Sequence, residues 1–307
     1  MLNKKYEARL ELVPTETPMK EAPINECPVP SGVLMPIGGH ENKGELPEDK
    51  DKLHPKRLEV LGIFKDLINV TNPSLEIITS ASSEGDDLFK EYVRAFNELG
   101  IEKIGHIHHD DRNGVLQDCH ECVERVDKAD AVFFSGGDQL KLTYLYGGTD
   151  FLLQLKQRYI QEGLIIGGTS AGAMALSTPM IYAGSQEVQQ ISGEIKITTG
   201  LEFLKDVCID THFVYRGRFV RMSQVVATNP TCIGLGIEED TALIIRNGIE
   251  AEVASSGVVI KIEGRAIHDS NITEFGDNEK ITIKGLNVDI LSSGNSFIIP
   301  QTNPPHI

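Results

Sequence analysis

The sequence has little positive charge for its length. Its 307 residues include 29 lysines and arginines against 45 aspartates and glutamates, which gives a formal net charge of −16. Lysine and arginine neutralise the phosphates of nucleic acids and anionic lipids, so a surface this acidic repels both on average. The composition therefore argues against a protein that binds nucleic acid or an anionic membrane.

Long apolar runs and abundant cysteines are also lacking. No stretch approaches the roughly 20 continuous apolar residues of a transmembrane helix. Residues 1–23 lack the apolar segment and small-residue cleavage site of a secretory signal. The five cysteines are sparse and odd in number, which does not suggest a disulfide framework. These absences predict a cytoplasmic protein.

What the sequence does contain is an alternation of short apolar strands with helices. Apolar segments begin near residues 33, 75, 101, 131 and 164, and helix-like segments separate them. This alternation predicts an α/β fold, in which helices cover both faces of a mostly parallel sheet. After about residue 230, short strands and tight turns predict additional antiparallel strands.

No low-complexity linker separates these two regions, so we expect a single composite domain over residues 1–307. Within it, we expect an N-terminal extension at 1–30 and an α/β catalytic core at 31–230. The antiparallel strands at 231–307 are expected to pack on that core.

Residues 168–172, Gly-Thr-Ser-Ala-Gly, match the G-x-S-x-G pattern between a predicted strand and a predicted helix. A sharp turn there exposes the Ser170 hydroxyl at the edge of the sheet, and the flanking glycines avoid clashes. The small Ala171 leaves its backbone N–H free to face a developing oxyanion at the helix N-terminus. Ser170 is therefore the candidate nucleophile, and a closely packed βα turn is the alternative.

A serine hydroxyl needs a base and a carboxylate that orients the base. Among nine histidines, His212 follows an apolar strand, where a parallel sheet presents functional side chains. His40 follows the first strand in the same way and competes with it. The turn at residues 238–240, Glu-Glu-Asp, offers three carboxylates, and spacing alone does not choose among them.

Two further segments are candidates for binding substrate. Residues 135–139 form a second glycine turn, whose N–H groups can complete an oxyanion hole and whose Gln139 can bind an amide or a carboxylate. Arg216, Arg218 and Arg221 cluster just after His212, and guanidinium groups bind carboxylates bidentately. A plain capped turn and a charged helix face are the respective alternatives.

Cys119 and Cys122 form a C-x-x-C pair, with His106, His108 and His109 upstream. Zinc or redox chemistry is possible at such a pair. No second close cysteine pair exists, and the segment has a helical pattern. We therefore favour a partly buried helix face over a metal centre.

Taken together, these segments resemble the cyanophycinases, serine peptidases related to the α-aspartyl dipeptidase peptidase E. The matching segments occur in the family's order, at residues 35–39, 133–139, 168–173, 210–221 and 236–242. The resemblance implies a fold like that of the class I glutamine amidotransferases, with serine at the nucleophile position.

The resemblance also implies roles for individual residues. Ser170 is the nucleophile, His212 the general base and acid, and Glu239 the orienting carboxylate. The N–H groups of Gly137 and Ala171 form the oxyanion hole. The implied substrate-binding residues are Gln139, Asp210, Thr211, Arg216, Arg218 and Arg221.

The implied activity is that of a serine-type exopeptidase acting on cyanophycin, a polyaspartate that carries arginine on its side chains through isopeptide bonds. The implied product is the β-aspartyl-arginine dipeptide, the implied assembly is a homodimer, and no cofactor or metal is expected. Polymer or β-aspartyl peptides are the expected partners.

The chain departs from the family pattern at two places. Thr211 stands where the family usually has glutamine, and residues 238–240 read Glu-Glu-Asp instead of Asp-Glu-Asn. The catalytic trio is unaffected, but specificity can differ. An aspartyl dipeptidase or isopeptidase is therefore the alternative enzyme, and a non-catalytic amidotransferase-like binding protein is the alternative of another class.

Overall fold

The computed structural model describes residues 28–44, 57–183, 195–274 and 280–300. The predicted N-terminal extension at 1–30 lies almost wholly outside these ranges, so the structure does not bear on it. The expected boundary near residue 230 stays a prediction, although the strands on either side of it pair with each other, as described below.

Eighteen strands fall within the described residues. In chain order they are β1 (Val33–Ile37), β2 (Ser74–Ile78), β3 (Lys103–Ile107), β4 (Ala131–Phe134), β5 (Ile165–Thr169), β6 (Ser177–Thr178), β7 (Met180–Ala183), β8 (Lys196–Thr198), β9 (Leu204–Lys205), β10 (Val207–Asp210), β11 (Ile233–Ile237), β12 (Thr241–Arg246), β13 (Glu250–Ser255), β14 (Val258–Glu263), β15 (Asp269–Ser270), β16 (Ile283–Lys284), β17 (Asn287–Ser292) and β18 (Ser296–Ile298).

Helices connect the parallel strands. They are α1 (Glu59–Leu67), α2 (Gly85–Glu98), α3 (Arg112–Gln117), α4 (Cys119–Lys128), α5 (Gln139–Tyr146), α6 (Asp150–Gln161), α7 (Ala171–Ala175) and α8 (Phe219–Thr228). None of the helices that the structure describes is long and apolar enough to cross a bilayer.

The first sheet has eight strands in the order β18-β13-β12-β1-β5-β4-β2-β3. The strands β1, β5, β4, β2 and β3 are parallel to one another, which agrees with the predicted α/β class. The strands β12, β13 and β18 extend this sheet in antiparallel fashion beyond β1. The predicted C-terminal antiparallel strands are thus present.

A second sheet has six strands in the order β17-β14-β11-β10-β6-β9. Its two central strands, β10 and β11, are parallel, whereas β14 and β17 add to it in antiparallel fashion. The strands that follow residue 230 therefore extend both sheets, and β11 brings that part of the chain into contact with the core strand β10.

The first sheet is buried on both faces. Alternate side chains of a strand point to opposite faces, and β1 shows this: Leu34 packs with the side chains of α4, α5 and α6, whereas Met35 packs with those of α1 and α2. On the latter face, the Phe64 ring meets the Phe133 ring edge to face, with their centroids 5.2 Å apart. Burial of both faces fixes the register of the strands and hence the positions of their C-terminal ends.

Candidate active site

Ser170 lies in the turn between β5 and α7, with φ 50° and ψ −114°. Its N–H donates to Ile37 O at 3.0 Å, which ties the turn to the end of β1. A Cβ on Gly168 would lie 2.7 Å from the backbone of Gly172, and a Cβ on Gly172 would collide with the Phe134 carbonyl. Glycine is therefore required on both sides of the serine, as the motif predicts.

His212 follows β10 of the second sheet and adopts a left-handed backbone, with φ 49°. Its N–H donates to Gly38 O at 2.8 Å, and its ring packs against Gly39, where any Cβ would collide with the imidazole. This close approach of the two sheets places His212 Nε2 3.0 Å from Ser170 Oγ.

Glu239 completes the chain of hydrogen bonds. Its Oε1 lies 2.6 Å from His212 Nδ1. Burial lowers the pKa of His212 below its usual value, and the hydrogen bond to Glu239 opposes that shift. Because the imidazole is then neutral near pH 7, its Nε2 can accept a proton from Ser170.

The other two carboxylates of the acidic turn point elsewhere. Glu238 Oε2 accepts the Val214 N–H at 2.8 Å. Asp240 Oδ1 accepts the Asn42 N–H at 3.1 Å, and its buried Oδ2 has no hydrogen-bond partner among the described residues. Burial raises the pKa of Asp240 to about 7. The structure therefore pairs only Glu239 of this turn with His212.

His40, the competing candidate base, lies beside the carboxylate and not beside the serine. Its Nε2 is 3.8 Å from Glu239 Oε1, and its side chain is 67% exposed. The His40 and His212 rings meet edge to face, with centroids 5.1 Å apart.

The two expected oxyanion donors face the same cavity as Ser170. Ala171 is the first residue of α7, so its N–H has no acceptor within the helix. Gly137 has φ 141°, and a Cβ there would collide with the Ala81 carbonyl, so this turn requires glycine. The assignment of these two N–H groups to an oxyanion hole stays a prediction.

A cavity of about 170 Å³ opens beside Ser170, and we call it the arginine pocket. Its lining residues are Gly137, Gln139, Ser170, Ala171, Met174, Ile181, Tyr182, Thr211, Arg216, Arg218 and Arg221.

Two polar side chains of the arginine pocket differ in their hydrogen bonds. Gln139 Nε2 donates to Ile181 O at 2.7 Å, so the Gln139 carbonyl oxygen is the atom that can accept from a ligand. Thr211 Oγ1 is buried without a hydrogen-bond partner among the described residues. A buried hydroxyl without a partner is rare, because it loses its hydration without compensation. The Gln139 carbonyl oxygen can therefore bind a ligand that enters the pocket, whereas the Thr211 side chain, also predicted to bind substrate, is fully buried.

Asp210, also predicted to bind substrate, is completely buried and lies behind the pocket lining. It accepts from Arg218 Nη1 at 2.8 Å and from Arg221 Nε at 2.5 Å. Burial lowers the pKa of Arg218 to about 10, and the Asp210 charge opposes this shift. Asp210 thus holds two of the arginines in place, while Arg216 is exposed.

The Cys119 and Cys122 pair lies in the first turn of α4, and both thiols are free. Cys122 is buried, which raises its pKa to about 11. Its Sγ lies 3.9 Å from His109 Nε2, while His106 and His108 bond to a threonine hydroxyl. Among the described residues, no group with metal-ligand spacing includes this pair.

Sequence reasoning missed three side chains that line the arginine pocket: Met174, Ile181 and Tyr182. Met174 follows Ser170 by one helical turn, so the G-x-S-x-G motif could have indicated it. Ile181 and Tyr182 belong to β7, whose apolar sequence predicts a strand but carries no signal of its position beside the serine.

Residues 51–252 match the model of peptidase family S51. The chain belongs to peptidase family S51. This S51 peptidase is accordingly a hydrolase of the serine-peptidase class, and the resemblance expected from the motifs is confirmed.

Relatives of this S51 peptidase carry a more specific name. This chain is 30% identical to a protein named cyanophycinase from Synechococcus elongatus. The alignment spans 266 residues and covers 87% of this chain and 79% of the relative. The chain is also 30% identical over 267 residues to a cyanophycinase from Geminocystis herdmanii, covering 87% of this chain and 93% of that protein. A peptidase from an acI-B1 Actinobacterium has the same fold, with a TM-score of 0.59, 22% identity and coverage of 87% of this chain and 97% of that one.

Proposed function

We propose that this S51 peptidase hydrolyses cyanophycin to β-aspartyl-arginine dipeptides by a serine acyl-enzyme mechanism. The observation that carries the proposal is the continuous hydrogen-bonded series Ser170–His212–Glu239, which opens onto the arginine pocket. The cyanophycinase name of the relatives supports the choice of substrate.

In the proposed reaction, Ser170 Oγ attacks a backbone carbonyl of the polymer while His212 Nε2 accepts the serine proton. Glu239 holds the imidazole in the tautomer that leaves Nε2 free and stabilises the imidazolium that forms. The N–H groups of Gly137 and Ala171 bind the oxyanion. His212 then returns the proton to the leaving amine, and water hydrolyses the acyl-enzyme by the same steps.

The chemistry of the arginine pocket supports this substrate. Each cyanophycin unit carries one free carboxylate and one guanidinium group. Arg216, Arg218 and Arg221 provide guanidinium groups that bind a carboxylate through charge-assisted hydrogen bonds. The Gln139 carbonyl oxygen is available to accept from the substrate guanidinium. Asp210 contributes indirectly, because it holds Arg218 and Arg221 in position.

Substrate choice is tested by incubating the enzyme separately with insoluble cyanophycin and with short α-aspartyl peptides. The proposal predicts that the polymer dissolves and that the short peptides remain intact. Cleavage of the short peptides alone would instead identify an aspartyl dipeptidase. Failure to cleave either substrate, together with failure of a fluorophosphonate to label Ser170, would identify a non-catalytic binding protein.

A further inference from the structure

A cluster of metal-ligating side chains lies at the solvent-facing side of the candidate triad. His40, His212 and Glu239 offer ligand atoms that all lie within 4.8 Å of one another. His40 Nε2 is 3.8 Å from Glu239 Oε1, and His212 Nδ1 is 2.6 Å from the same oxygen. In the parts of the chain that the structure describes, this is the only group of three or more histidine, cysteine or acidic residues with that spacing.

The ligand types indicate which metal fits. Two imidazoles and one carboxylate form a ligand set that zinc uses in proteins. Imidazole suits zinc and its neighbours among the transition metals, whereas magnesium prefers oxygen ligands. We propose that His40, His212 and Glu239 bind Zn²⁺ and that the bound zinc inhibits the peptidase. The inhibitory part of the proposal rests on the proposed catalytic roles of His212 and Glu239.

Forming the site requires movements of at most about 1.5 Å between ligand atoms, because the three atoms all lie within 4.8 Å of one another. Zinc bonds of about 2.0–2.1 Å place neighbouring ligand atoms roughly 3.3 Å apart in a tetrahedron. The His40–Glu239 distance of 3.8 Å must therefore shorten by about 0.5 Å, and the His212–Glu239 distance of 2.6 Å must lengthen by about 0.7 Å. His212 is buried and fixed, so the movement falls on the exposed His40 side chain and on the Glu239 carboxylate. Solvent can supply the fourth ligand.

Zinc bound at this position disables His212 as the general base of the serine reaction. The metal replaces the Nδ1 proton of His212, which leaves to solvent, and the hydrogen bond to Glu239 is lost. The positive charge of the metal also makes His212 Nε2 a weaker base for the Ser170 proton. The arginine pocket is not part of the zinc site, so we expect zinc to lower kcat more than it raises KM.

The contribution of His40 distinguishes the proposed site from weak zinc binding by His212 and Glu239 alone. His40 adopts φ 49°, a conformation that asparagine tolerates better than most residues, so His40→Asn removes the imidazole without adding backbone strain. His120→Gln is a matched control, because His120 is also an exposed histidine that faces a glutamate, with 3.6 Å between His120 Nδ1 and Glu124 Oε1.

The first test measures hydrolysis by enzyme freed of metal with EDTA, titrated with Zn²⁺ or with Mg²⁺. Zinc should inhibit the wild type and His120→Gln at equal concentrations, and magnesium should not. Loss of an outer-shell partner already weakens metal binding about 10–100-fold, so His40→Asn should need at least about tenfold more zinc for the same fractional inhibition. Equal zinc sensitivity in His40→Asn, or activation by zinc, would overturn the proposal.

The second test needs no substrate and therefore stands apart from the proposed function. Co²⁺ replaces Zn²⁺ and absorbs visible light strongly in a tetrahedral site. Ser170→Ala protein titrated with Co²⁺ should develop this absorption, and the Ser170→Ala, His40→Asn double variant should not. Absence of the absorption in Ser170→Ala overturns the metal site whatever the substrate. Its presence in a chain that leaves cyanophycin intact supports the site and contradicts only the proposed function.

Discussion

Three residues in and beside the site follow three different strands and share a positive φ. Ser170, His212 and Asp240 have φ values of 50°, 49° and 48°. Residues other than glycine rarely adopt a positive φ. Those that do cluster at functional sites, where the surrounding structure holds the backbone in place. Here the N–H groups of all three donate to the last carbonyls of β1 and its turn, at residues 37–39. The end of β1 is thus a common anchor for the three loops.

The local sequence around Ser170 predicts its exposure because strand, turn and helix are contiguous there. The same reasoning does not choose among the acidic residues 238–240, since neighbouring side chains in a turn point in different directions. Only the family resemblance favours Glu239, and its contact with His212 depends on the pairing of β10 with β11, whose C-terminal ends lie side by side. The Gln139 bond to Ile181 likewise joins segments 42 residues apart.

Replacing the orienting carboxylate tests the assignment among the three acids. Glu239→Gln keeps the shape but favours the wrong imidazole tautomer, so kcat should fall by about 10,000-fold. Glu238→Gln, the matched control, weakens only a hydrogen bond to the Val214 N–H, so kcat should change by less than about tenfold. Steady-state kinetics of both variants check this, and a larger loss in Glu238→Gln would contradict the assignment.

Replacing Arg216 by alanine should weaken substrate binding, whereas replacing Arg221 by alanine should weaken the fold. Arg216 is exposed and lines the pocket, so losing its charge-assisted hydrogen bonds of about 1.5–3 kcal/mol should raise KM by about 10–100-fold with little change in thermal stability. Arg221 binds the fully buried Asp210, so its loss should lower the free energy of unfolding by about 3 kcal/mol. Kinetics and denaturant unfolding measure the two effects, and an unaltered KM in Arg216→Ala would argue against its role.

At the scale of elements, the strand and helix pattern of the α/β core is predictable because each segment has its own hydrophobic periodicity. The division of the strands into two sheets is not predictable in this way, because strand pairing joins segments that are distant in the sequence. The strands β10 and β11 pair across α8, and β14 joins them from beyond β13. His212 and Glu239 therefore come from a different sheet than Ser170, and the site lies where the ends of the two sheets meet.

The cysteine pair of helix α4 is expected to be structural, with no metal and no redox role. Cys122 is buried and its thiol pKa is raised to about 11, which disfavours the thiolate that metals and redox chemistry require. We therefore expect EDTA to cause no loss of activity, and Cys119→Ser with Cys122→Ala to retain it. The double variant should be less stable by about 1 kcal/mol, the usual effect of removing a small buried group. Loss of activity on EDTA treatment with recovery on zinc would instead assign a metal to the pair.

At the scale of the whole molecule, the charge of −16 coexists with a local concentration of arginines. Three guanidinium groups line the pocket, and one buried carboxylate, Asp210, offsets part of their charge. A cyanophycin unit has one positive and one negative group, so an acidic protein does not repel the polymer, and the pocket attracts its carboxylates. The expected homodimer and the expected cytoplasmic location remain predictions.

The central claim is that Ser170 of this S51 peptidase releases β-aspartyl-arginine dipeptides from cyanophycin. Mass spectrometry of the products released from insoluble cyanophycin by the wild type and by Ser170→Ala tests it most directly. The wild type should release the dipeptide, and Ser170→Ala should still bind the polymer but release dipeptide at least about 10,000-fold more slowly. Wild-type rates in Ser170→Ala, or free arginine as the product, would contradict the claim.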